Sequence, residues 1–160
     1  MTDQDRSRAI YVDTNAIIYA IEGSDDVAAM LHSLFAALWN GESLAYTSEF
    51  TLAEVLPRAN AIQRRSYFTL LQHSGLFNLL PVTREILIGT ADYRGNQARQ
   101  PLLEMKRSMP KLPDAIHIVT ALGAGCSKFV SFDRGLRLPE GLGRVGLENG
   151  QLLELIENLS

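Results

Sequence analysis

The sequence predicts an α/β fold: a central, mostly parallel sheet of four or five strands in a three-layer α/β/α arrangement. Three observations lead there. Short apolar runs rich in β-branched and aromatic residues alternate with longer stretches at helical spacing, as βαβ units require. Two of the short runs, I-Y-V and F-V-S-F, lead directly into an aspartate, Asp13 and Asp133. Two more acids, Glu54 and Asp114, fall on intervening helical stretches, Asp114 at the very start of one.

The elements follow in order. Ala9–Val12 reads as the first strand, with a short helix from about Thr14 to Ile21 that breaks at Gly23-Ser24. Asp25 or Asp26 opens a helix in which Met30, Leu31, Leu34, Phe35 and Leu38 recur at helical spacing, and Asn40-Gly41 stops it. Ser43–Thr47 is a second strand. Ser48 is the expected N-cap of the helix carrying Glu54, which Pro57 ends or bends. A further helix spans about Asn60 to Gln72. Leu76–Val82 is a third strand, and Thr83 caps a helix reaching about Arg99. Gln100–Leu112, with Pro101, Pro110, Lys106, Arg107 and Lys111, reads as a connection. Pro113 suits a first helical position, and the helix runs from Asp114 to about Ala124, with Gly123 and Gly125 at its end. Lys128–Phe132 is a fourth strand. A fifth near Arg144–Leu147 and a terminal helix from about Gly150 complete the order. No repeat or low-complexity tract interrupts it.

At 160 residues the chain is expected to form a single domain, 1–160, that buries roughly two thirds of its unfolded surface. A composition 46% hydrophobic and 21% charged is that of a soluble globular protein. Its single cysteine, Cys126, excludes an internal disulfide and reads as a small core residue. No apolar stretch nears the ~20 residues of a membrane span, and M-T-D-Q-D-R-S-R leads into no signal-peptide core. A cytoplasmic protein is expected. Net charge −3 offers no global attraction to nucleic acid. That argues against a dedicated DNA binder, while an enzyme meeting phosphates through metal ions and a few basic residues remains open.

Each acid has an ordinary structural explanation. Asp13 would N-cap the next helix, Glu54 would pair with Arg58 four residues on, Asp114 would complement a helix dipole, and Asp133 would make an Asx-turn before Arg134-Gly135. Their joint placement favours a common site. In open parallel sheets ligands bind outside the carboxyl ends of the strands, where several carboxylates are tolerated mainly around a cation. Mg²⁺ or Mn²⁺ prefers such oxygens. Zinc does not suit three dispersed histidines and one cysteine. An all-oxygen acidic cluster best fits phosphodiester hydrolysis.

V-D-T-N after the first strand, an isolated helical glutamate, L-P-D-A opening an apolar helix and a strand ending S-F-D together resemble the PIN-domain family. The layout is most similar to its VapC-type toxins. The resemblance covers nearly the whole chain, and L-P-D-A-I-H-I-V-T-A-L-G-A-G running into K-F-V-S-F-D is its most specific part. It implies a PIN-like fold and a Mg²⁺-dependent (or Mn²⁺-dependent) endoribonuclease. Asp13, Glu54, Asp114 and Asp133 would be the catalytic metal-binding acids, with Asp13 and Asp114 as direct ligands. Glu54 would bind metal or orient the water, and Asp133 would act through water. Asn15 and Ser131 match the family's supporting polar residues. The implied partners are an RNA substrate, a cognate antitoxin and a second copy in a homodimer.

Lys106, Arg107, Lys111, Arg134 and Arg137 flank the proposed site, and Lys111 and Arg134 are the candidate contacts to RNA phosphate. His117 shares a helix face with Asp114, which leaves a supporting role behind the metal ligands open, but a hard metal does not select imidazole, so the sequence favours a core or boundary histidine. Trp39, with Leu70, Leu71, Leu76 and Phe77, is a candidate groove for an antitoxin segment or a dimer contact. The alternatives are an RNA-processing PIN nuclease outside a toxin system and a catalytically silent binding domain. An aspartyl-phosphate enzyme is disfavoured, since Asn15 stands where a second nucleophile-site aspartate belongs.

Overall fold

Ile10 and Val12 face one apolar cluster and Ala9 and Tyr11 another, so all four residues of strand β1 (Ala9–Val12) are buried. A strand covered on both faces reads as continuous apolar sequence, as parallel sheets require. The protein is described by a computed structural model over residues 8–99 and 109–160. Most of the Gln100–Leu112 connection, with Lys106 and Arg107, lies outside the described residues.

Strands β2 (Leu44–Ser48), β3 (Phe77–Leu80), β4 (Lys128–Val130) and β5 (Gly143–Val145) join β1. The order is β3-β2-β1-β4-β5, with every neighbouring pair parallel. The helices are α1 (Thr14–Glu22), α2 (Asp26–Asn40), α3 (Phe50–Val55), α4 (Ala61–Phe68), α5 (Arg84–Arg99), α6 (Leu112–Gly123) and α7 (Gln151–Leu159). One face of the sheet packs on Ile17, Leu31, Leu34, Tyr67 and Leu152. The other packs on Ile118 and Ala121 of α6, with Tyr93 of α5 at its edge. The result is the three-layer α/β/α arrangement.

Local chemistry sets the boundaries. The Asp25 side chain accepts from Ala28 N–H and caps α2, and Asn60 and Gln63 form a reciprocal capping box on α4. Ser48 is not itself the cap of α3. Glu49 occupies that position, while the Ser48 hydroxyl still accepts from Phe50 N–H at 3.0 Å. α4 continues into a π-turn over Thr69–His73, where Ser74 N–H reaches back to Thr69 O. β3 stops at Leu80 because Pro81 offers no N–H to the ladder. α6 ends in a Schellman motif: Cys126 N–H bonds to Ala121 O and Gly125 N–H to Leu122 O. Gly125 takes the left-handed φ of 74° that this motif requires. That reversal aims β4 back alongside β1.

Cys126 is buried, as expected of a core residue, and burial lifts its thiol to about 12. Two of the residues expected to line a groove beside Trp39 are not at its surface. Leu71 and Phe77 are core residues of the first cluster, while Trp39 is 61% exposed. The reason is register: Phe77 opens β3 facing Phe35, 5.6 Å away between ring centres. No described helix is long and apolar enough to cross a membrane.

Candidate active site

The chain leaves β1 toward β2 and β3 on one side and reaches β4 and β5 on the other. The β1–β4 boundary is therefore the topological switch point, where connections on opposite faces leave a crevice at the strand ends. Val12 is in register with Val130, so the next residues, Asp13 and Ser131, emerge side by side.

Asp13 is 7% exposed. Its Oδ1 caps α1, accepting from Thr14 N–H at 2.9 Å. Its Oδ2 accepts from the Ser131 hydroxyl at 2.8 Å. Ser131 Oγ also accepts from Asn15 Nδ2 at 3.1 Å and from Asp133 N–H at 3.3 Å, while Asn15 Oδ1 accepts from Phe132 N–H. The ordinary reading of Asp13 as a cap is thus realised, yet each carboxylate oxygen retains a free lone pair. Burial pushes the Asp13 carboxyl above its usual range. His117, Ser131 and Thr14 pull it back, and Glu54 adds a smaller push upward.

Asp114 lies half-buried in the first turn of α6. Its carboxyl is also raised, first by burial and then by the negative charges of Asp13 and Asp133, against Lys111 and His117. These mutual effects place the acids of β1, β4 and α6 in one electrostatic neighbourhood. Asp114 and Asp133 border a cavity of about 390 Å³ that is also lined by Gln97, Lys111, Gly135 and Arg137.

Glu54 joins from α3 through different partners. Among the described residues its side-chain partner from across the core is His117, not Arg58 four residues on. Its Oε1 accepts from His117 Nε2 at 2.6 Å and from the Thr14 hydroxyl at 2.8 Å. His117 Nδ1 stands 2.6 Å from the Tyr11 hydroxyl, which burial keeps protonated by raising its pKa well above the ordinary value. Asp133 is exposed and committed to the local turn: Gly135 N–H bonds to its Oδ1 at 2.9 Å.

The basic residues divide. Lys111 and Arg137 line the cavity, whereas Arg134 pairs with Glu148 at 2.8 Å. Glu148 also binds Arg144, which donates to Ser131 O. Arg137 thus reaches the cavity that Arg134, its neighbour in the sequence, does not line, and Thr14, inside V-D-T-N, is a contact to Glu54 that the sequence did not single out. His117 is indeed buried, but it is bonded to a candidate acid. Its three-residue spacing from Asp114 was the available signal. The carboxylate it meets, Glu54, lies 63 positions away in the sequence, which is why spacing alone favours the core reading.

Among the described residues no group of three or more His, Cys, Asp or Glu side chains is placed to hold a metal ion by itself. The donors facing the crevice are carboxylate oxygens, and the one nearby imidazole is occupied on both nitrogens. Such an open set suits a hard cation held by one or two carboxylates and several waters, and not a closed zinc site.

The family model described as PIN domain matches residues 10–141. A solved structure described as a toxin-antitoxin complex from Klebsiella pneumoniae is 19% identical, covering 83% of this chain and 94% of that one, at a TM-score of 0.56. VapBC2 from Rickettsia felis, bound to a DNA fragment from its promoter, is 15% identical, covering 88% and 99%, at a TM-score of 0.58. At these identities the likeness is one of fold. No curated protein matches the sequence.

Proposed function

The chain belongs to the PIN domain family, and from that premise we propose that it is a divalent-metal-dependent endoribonuclease, the toxin of a toxin–antitoxin pair. One observation carries the chemistry: Asp13 and Asp114, from a strand end and a helix start a hundred residues apart, are both desolvated, and Asp114 is pushed up further by the charge of Asp13. Burying like charges together is unfavourable in a cation-free protein, and a site that retains them is built for a positive charge.

Asp13 and Asp114 would hold Mg²⁺ or Mn²⁺, with Glu54 and Asp133 beside them. A metal bound there lowers the pKa of a coordinated water and offsets charge on a phosphoryl oxygen. The protein's own contribution is positional. Ser131 and Thr14 N–H fix the two oxygens of Asp13, and Thr14 and His117 fix Oε1 of Glu54. Lys111 and Arg137, on the rim of the cavity holding Asp114 and Asp133, would bind the phosphates on either side of the cut and bring RNA to an otherwise acidic mouth.

The toxin assignment rests on the likeness to two toxin–antitoxin assemblies, and the antitoxin and a second copy of the chain are the partners it entails. The test is cleavage of single-stranded RNA by the purified chain with Mg²⁺, with EDTA, and in Asp13→Asn and Asp114→Asn. Cleavage that EDTA stops and either substitution abolishes supports the reading, and cleavage unchanged by both substitutions refutes it. Growth arrest on expression, relieved by co-expressing the neighbouring small gene, tests the toxin role separately.

A further inference from the structure

His117 stands outside the set of oxygen donors, yet it is 1% exposed and packed directly behind one of them. Its ring meets Tyr11 and Phe50 edge-on, each at 5.8 Å between centroids, so it has no freedom to turn. An ionised Glu54 can only accept. The 2.6 Å contact therefore puts the proton on Nε2, and Nδ1 is left to accept from the Tyr11 hydroxyl. Both contacts to Glu54 fall on Oε1, and among the described residues no hydrogen bond engages Oε2.

Glu54 needs such restraint. It sits near the end of the six-residue helix α3, and three rotatable bonds would otherwise spread its carboxylate over many positions. Two donors converging on one oxygen select one of them. Both come from elements that also carry the site: Thr14 follows Asp13, and His117 lies one turn beyond Asp114 on α6. The position of Glu54 is thereby tied to those of Asp13 and Asp114.

We infer that His117 is a positioning residue that clamps Oε1 of Glu54, leaving Oε2 for the metal-binding cluster, and that Tyr11 orients the clamp. Any buried histidine needs polar partners; what singles out His117 is that its Nε2 partner is the carboxylate of a candidate acid and not a backbone carbonyl. The inference rests on the metal-dependent reading of the acids. Partners of this kind set the orientation of the groups that meet a metal, and losing one typically weakens metal binding about 10- to 100-fold.

The experiment is Mn²⁺ titration of the full chain by calorimetry, with folding monitored by circular dichroism. His117→Leu is expected to weaken Mn²⁺ binding by about one to two orders of magnitude, and to have no further effect in a Glu54→Gln background. A merely structural role gives losses that add across the two sites. Additive losses, or wild-type affinity in a folded H117L, overturn the proposal. If H117L does not fold, two amides decide. Gln places its N–H where Nε2 stands and Asn where Nδ1 stands, so tighter Mn²⁺ binding by H117Q than by H117N supports the clamp, and equal or reversed affinities overturn it. Failure of the underlying reading has its own signature: Mn²⁺ that wild type does not bind, or that Asp13→Asn binds equally well. The clamp falls with it.

Discussion

Ser131→Ala removes one oxygen atom from the centre of the candidate site, and its cost follows from what that oxygen touches. The hydroxyl is fully buried and donates to Asp13 Oδ2 at 2.8 Å, while accepting from Asn15 and from Asp133 N–H. A hydrogen bond to a charged group contributes about 1.5–3 kcal/mol. Asn15, half-buried, can turn to water, so the loss is dominated by the carboxylate. The expected cost at neutral pH is about 2–3 kcal/mol, lowering Tm by roughly 5–10 °C. The pH dependence separates this from simple loss of packing. The Asp13 carboxyl is raised above 3.8 in the folded protein. Its contribution to stability is therefore complete below the unfolded pKa and is lost as pH rises through the folded value. Ser131 opposes that rise by favouring the carboxylate, so its removal lifts the folded pKa further. The cost of S131A is then least in acid, where Asp13 is protonated in both proteins. It grows as pH climbs through the folded wild-type value and levels off above that of the variant. Urea denaturation of both proteins with EDTA, at several pH values between about 4 and 8, measures this. A cost independent of pH, or below about 0.5 kcal/mol throughout, would refute the reasoning.

Other consequences are equally direct. Asp114→Asn removes a charge repelled by Asp13 and Asp133. It should raise the thermal stability of the metal-free protein while abolishing the stabilisation that added Mn²⁺ gives wild type, both read in melting curves. Phe129→Ala deletes a fully buried ring stacked on Tyr11 at 5.1 Å and should cost about 3–5 kcal/mol in denaturant unfolding. Lys111→Ala and Arg137→Ala should each weaken binding of single-stranded RNA and reduce the salt slope by about one. Arg134→Ala, starting from an arginine already paired with Glu148, should change that slope less; a filter-binding series across salt concentrations ranks the three.

Much of the site was legible before folding because strand ends and helix starts announce themselves locally. V-D after an apolar run and L-P-D before an apolar helix place Asp13 and Asp114 at element boundaries, and parallel topology leaves such boundaries few places to meet. Asp133 was legible for the opposite reason: D-R-G spells an Asx-turn, and the turn is what its side chain makes. Where the sequence could not choose a side chain's partner, the deciding contact was distant in the chain. Arg58 is four residues from Glu54, so a helical pair was the natural expectation, but His117 lies 63 positions away and wins with a buried contact of 2.6 Å. Arg134 neighbours Asp133 in the chain, yet it turns to Glu148, and Arg137 reaches the cavity instead.

By itself, then, the sequence determined the alternation of elements, the parallel sheet and the family resemblance, and it singled out four candidate acids, because periodicity, capping and turn chemistry act within a few residues. Tertiary structure alone decided strand order, which puts Asp13 and Ser131 side by side at the switch point. It also decided which hydrogen-bond donor holds each carboxylate: Ser131 for Asp13, Thr14 and His117 for Glu54. The physical reason is that a donor is chosen by its distance in space, and distance across a folded core bears no simple relation to separation along the chain.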